Sequence, residues 1–171
     1  MRHSPKTLSE IQDFKVDGFT SKLCTRIAVS ENEAQALFEE VKRWLWLVAN
    51  APQDVQPTIF EPILIIDEAW HEFLLFTTEY AEFCNNWLGL YIHHYPHTRS
   101  NSSGSVRPEL ILQTTISLVH DMLGAETAVR WFRVFPQKYS WATTLQLKRT
   151  ALDVDEEFEM ATRQATSGLR T

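Results

Sequence analysis

The chain has 171 residues, a length that fits one domain, and carries 16 Lys and Arg against 22 Asp and Glu for a formal net charge of −6. That balance excludes a nucleic-acid-binding face, which needs clustered cations; 44% apolar and 22% charged residues exclude a disordered chain. No apolar run reaches the roughly 18 residues of a membrane helix, and Met1-Arg2-His3-Ser4-Pro5-Lys6 leads into no apolar secretion signal, so a cytoplasmic protein is expected.

Strand signals are weak and helix signals strong, which predicts an all-α fold, a single compact domain. Residues 7–13 predict a short opening helix, and 19–29 a second with Leu23, Cys24 and Ile27 on one side. Ser30-Glu31-Asn32-Glu33 has the spacing of a capping box. A helix over 31–49 follows, with Ala34, Leu37, Phe38, Val41, Leu45 and Val48 recurring at three and four residues. Trp44 and Trp46 broaden its buried face, while Glu39, Lys42 and Arg43 are expected to point away. Thr58-Ile59-Phe60-Glu61 reads as a second capping box, with Pro62 in the first helical position as the alternative. From about 60 to 88 runs an almost wholly apolar stretch closed by Gly89, expected as one central buried helix. Residues 98–107 are a polar loop. Pro108 opens a helix with Leu110, Ile111, Thr114, Leu118, Val119 and Met122 inward, stopped by Gly124. A helix over 125–135 carries Val129, Trp131 and Phe132 and is broken by Pro136; 141–147 adds a turn. Residues 1–150 form the helical domain, and 151–171 an acidic peripheral helix or tail.

Cys24 and Cys84 form no C-x-x-C pair, so both are expected to be reduced and buried. The unusual chemistry lies in 67–97. Asp67 and His71, four apart, share a helix face, and a straight helix extends it to Thr78 and Glu82 as a polar stripe. Buried carboxylates and imidazoles must be paired or ligate something. After Gly89 come His93, His94 and His97, three of the six histidines; His120 lies on a later helix.

Three roles fit these residues. In the first, the helical domain is an interaction or scaffold module with a protein partner or a second copy, and the Asp67–His71 pair is structural. In the second, Asp67 and His71 give two ligands to a single divalent ion, zinc or non-haem iron, and His93 or His94 a third, with His97 or His120 completing the set. This second role extends to a metalloenzyme. In the third, a pocket without metal uses Trp70, Tyr80, Tyr91 and Tyr95. Thr78, Glu82 and Cys84 belong to the same candidate pocket, and Glu82 or Asp67 beside His71 offers acid–base chemistry. Glu68, Glu72 and Glu79 fall on another side, expected to be solvated or paired at the rim, and Arg130 and Arg133 are expected at the surface.

The order Asp67-x-x-Trp70-His71, then Tyr80, Cys84, Gly89 and His93-His94, resembles the glycine-rich-domain-protein-like family, a plant domain with short bacterial relatives. The resemblance covers roughly residues 60–97 and implies a helical domain without an assigned reaction. The chain departs from it at Phe73, where many members carry a second histidine, and in lacking a glycine-rich tail.

Overall fold

Thr7 and Glu10 form a reciprocal capping box, the Glu10 amide donating to the Thr7 hydroxyl and the Thr7 amide to the Glu10 carboxylate. It starts α1 (Leu8–Ile11), and α2 (Phe19–Cys24) follows from Gly18, whose φ of 78° is left-handed. This computed structural model describes residues 5–95 and 108–148, with Thr150, Glu156, Glu159 and Met160. Ser30 caps α3 (Glu31–Asn50) by accepting from the Glu33 amide. The box is half formed: the Glu33 carboxylate turns instead to Lys138 and the Tyr139 hydroxyl.

The expected single helix over 60–88 is broken into four pieces. A 3₁₀ turn (Glu61–Ile63) with Pro62 in its first turn leads into α4 (Leu64–Leu75). The Thr58 box does not form; its hydroxyl donates to the Gln56 carbonyl. Phe76, at φ −83° and ψ 64°, leaves the helical region and separates α4 from α5 (Thr77–Glu82). A π-helical turn (Phe83–Leu88) then ends on left-handed Gly89, at φ 79°. Beyond the loop come α6 (Pro108–Leu123) and α7 (Ala125–Val129), then a second π turn (Arg130–Val134) and α8 (Phe135–Lys138). Pro136 sits in the first turn of α8 and does not break the chain there, because a first-turn proline forgoes no helical hydrogen bond. A last helix covers 141–148. No strand occurs among the described residues, and none of their helices is long and apolar enough to cross a membrane. The tail expected over 151–171 and His97 lie outside the described residues apart from Glu156, Glu159 and Met160.

Helix α3 is the hub, packing against α1, α2, α4 and α6. Phe73 of α4 is fully buried, with its ring against those of Phe14, Phe19, Phe38, Tyr80 and Phe83. Each such side chain contributes about 1.5–3 kcal/mol by leaving water. Lys42, expected to point away, is fully buried. Its ammonium donates to the Gln12 and Phe14 carbonyls at 2.7 and 3.0 Å and pairs with Glu39, so it straps the N-terminal segment to α3. Burial pushes that ammonium below the ordinary lysine range against the pull of Glu39. Leu110 and Val129, expected inside, are exposed; Thr115, Val119 and Thr127 take the inward positions.

Candidate metal centre

Asp67, Trp70 and His71 stand at positions i, i+3 and i+4 of α4, so they share one helix face. The third participant arrives from the loop after Gly89. There the Leu90 amide donates to the Cys84 carbonyl at 3.1 Å, closing the π turn. Tyr80, 1% exposed, donates its hydroxyl to the Ile92 carbonyl at 2.6 Å and accepts from the Trp70 indole N–H at 3.3 Å. Burial pushes the Tyr80 phenol above its ordinary range, so it stays a donor. Burial likewise raises the Cys84 thiol, offset in part by the Ile92 amide and the Tyr80 hydroxyl. With Ile92 clamped, His94 comes to lie over α4, its ring edge-on to Trp70 at 4.4 Å between centroids.

The result is a carboxylate between two imidazoles. His94 Nε2 lies 3.0 Å from Asp67 Oδ1, and His71 Nε2 3.7 Å from Asp67 Oδ2. The two histidine rings are 4.4 Å apart. One ligating atom from each of Asp67, His71 and His94 lies within 4.8 Å of the other two. Asp67 and His94 are largely covered, whereas the His71 side chain is 44% exposed. Two histidines and one carboxylate leave open positions on a divalent ion, the donor set of catalytic zinc and of non-haem iron.

Other expected site residues fall elsewhere. Thr78 and Glu82 are exposed, because the break at Phe76 rotates them off the line through His71. His93 is exposed, its ring against Tyr91 and Tyr95; His120 is exposed and bonded to Asp121. Tyr80 and Cys84 are buried; they lie beneath the loop and seat it. Glu72 is buried rather than solvated and paired with Arg26, while Glu68 meets Lys148 at the rim. Arg130 is not a free surface group; it pairs with buried Glu40, which also accepts from Trp131 Nε1 at 2.8 Å. Both cysteines are free, but Cys24 is only half-buried.

Of the pocket expected around Trp70, Tyr80, Tyr91 and Tyr95, the space beside this cluster is lined by Trp70 and Tyr95, and sequence reasoning missed its far wall. A cleft of about 510 Å³ opens against Asp67, Trp70 and His94. Its far wall is Trp44 and Val48 of α3 and the segment 51–59, whose prolines give no chemical signal of a site. A wider surface concavity along α7 and α8, about 650 Å³, shares no residue with it and has Glu126 as its one carboxylate.

No curated protein and no solved structure matches the chain. A family model does, over residues 8–110, and its description names no activity. The matched span holds Asp67, His71, His94 and the elements that seat them, and by it the chain belongs to the UCP032817-like family.

Proposed function

We propose that this helical domain binds one divalent transition-metal ion through Asp67, His71 and His94. The observation that carries the proposal is the mutual approach of one ligating atom from each residue to within 4.8 Å. A purely structural role accounts for less of the geometry. The loop is already held by the bond from Tyr80 to the Ile92 carbonyl. His71, half-exposed and 3.7 Å from Asp67, adds little stability as an ion pair, since exposed pairs contribute at most about 1 kcal/mol. Its position is better accounted for as a ligand on the solvent side of the cluster. Ligation needs an unprotonated imidazole nitrogen from each histidine, so protons compete with the metal and binding should weaken in acid. The likeness of Asp67-x-x-Trp70-His71 to the glycine-rich-domain-protein-like family is part of this proposal and rests on the motif alone.

The test is calorimetric titration of untagged, chelator-stripped protein with Zn²⁺ and, anaerobically, Fe²⁺. One equivalent should bind. Asp67→Ala, His71→Ala and His94→Ala should each abolish saturable binding, whereas His93→Ala and His120→Ala should retain it. Absence of saturable binding by the folded wild type overturns the proposal.

A further inference from the structure

The cleft beside the cluster has a composition that restricts what can enter it. Its walls are apolar and aromatic, with Trp44, Val48, Val55, Ile59 and Trp70 among them. Its lining carries one carboxylate, Asp67, and no lysine or arginine. A free anion entering it meets repulsion from Asp67 and loses water that the polar side chains of Gln53, Gln56, Thr58 and Tyr95 replace only in part.

These features combine once a divalent ion is present. Two positive charges added to one carboxylate reverse the sign of the cleft's only ionised site. The three protein ligands leave coordination positions open. Resting on the metal-centre proposal, we infer that the metal-bound protein takes a small planar aromatic or alicyclic carboxylate. The ring fills the space between the aromatic walls, and a carboxylate oxygen completes the metal's coordination. Metal binding therefore sets the charge preference of the cleft, which favours neutral or cationic ligands when metal-free and anionic ones when metal-bound.

Naphthalene-2-carboxylate is a suitable probe and naphthalen-2-ylmethanol its neutral counterpart, with Co²⁺ as a spectroscopic ion. At pH 8, calorimetry should show the carboxylate binding Co²⁺-loaded protein roughly tenfold or more tightly than metal-free protein, the worth of one charge-assisted contact. It should also move the visible Co²⁺ bands, and the alcohol should not. Val55→Trp, in the surface segment, should block the probe and keep the metal. Co²⁺ bands that ignore the carboxylate, or equal affinity with and without Co²⁺, overturn this inference and leave the metal centre standing. Failure of Co²⁺ to bind overturns both.

Discussion

Replacing Tyr80 by Phe separates the loop's anchor from its packing. The ring stays buried against Phe73 and Tyr91, at 5.2 and 5.5 Å between centroids, so almost no apolar burial is lost. What disappears is the hydroxyl and its two bonds, to the Ile92 carbonyl and from the Trp70 indole. Both groups sit in buried residues, Ile92 at 5% and Trp70 at 7% exposure. A buried polar group left without a partner costs about 1–3 kcal/mol. The Trp70 bond is long and belongs at the low end, so the substitution should cost about 2–4 kcal/mol in total. For a chain of this size that lowers Tm by roughly 5–15 °C. In urea, the midpoint should fall with the slope unchanged, because the surface exposed on unfolding is the same.

The same substitution reaches the metal centre without touching a ligand. Asp67 and His71 are held by α4, but His94 depends on the loop that Tyr80 clamps. Zn²⁺ affinity should therefore fall roughly ten- to hundredfold, the usual effect of removing a group that orients a ligand. Stability within about 0.5 kcal/mol of wild type, together with unchanged Zn²⁺ affinity, would refute the clamp.

In a melting experiment, a chelator should lower the Tm of Zn²⁺-loaded wild type and leave His71→Ala unmoved, because bound metal stabilises only a protein that has the site. Glu40→Ala removes the acceptor for Trp131 and the partner of Arg130 and should cost about 3–5 kcal/mol by urea denaturation. Burial would raise the Glu33 carboxyl, but its bonds to Lys138 and Tyr139 outweigh that and hold it below the ordinary range. Its contribution is thus full above the ordinary glutamate range, about pH 4.3, and lost as pH falls through the lower folded value. Glu33→Gln should accordingly flatten the decline of stability in acid, read as urea midpoints against pH. Burial raises both thiols, yet Cys24 is half-buried and Cys84 fully covered. Native labelling followed by mass spectrometry should therefore modify Cys24 well before Cys84.

The helical class and the long helix α3 were legible because they rest on local rules. Ser30 supplies an N-cap, and the apolar spacing from Ala34 to Leu45 fixes one inward face. Lys42 defied the same reasoning from within that face. Its charge is satisfied by carbonyls 28 and 30 residues away, contacts that no periodicity encodes. The central segment misled for a different reason. Apolar composition persists through Phe76, but the backbone does not stay helical there, and the π turn after Glu82 adds a second change of pitch. Projecting a straight helix across the break at Phe76 places Thr78 and Glu82 beside His71 when both face solvent.

The divided helix also explains why residues so far apart in the sequence belong to one site. A straight helix to Gly89 would carry the following loop away along its axis, at about 1.5 Å per residue. The break at Phe76 and the π turn instead bring the chain back, so that Ile92 meets Tyr80 and His94 meets Asp67. Trp70 is central to this return: its N–H bonds the Tyr80 hydroxyl while its ring lies edge-on to His94. The motif thus divides its labour. Asp67, His71 and His94 face outward, where an ion can reach them, and Trp70, Tyr80, Cys84 and Gly89 form the seat beneath. The three ligands are unequal in consequence. Two ride on a well-packed helix whose Phe73 anchors the core, and one rides on a loop held by the Tyr80 hydroxyl and the Leu90–Cys84 backbone bond. Metal affinity in this arrangement is governed by the order of that loop, so substitutions in the seat should lower affinity while leaving the ligand set intact.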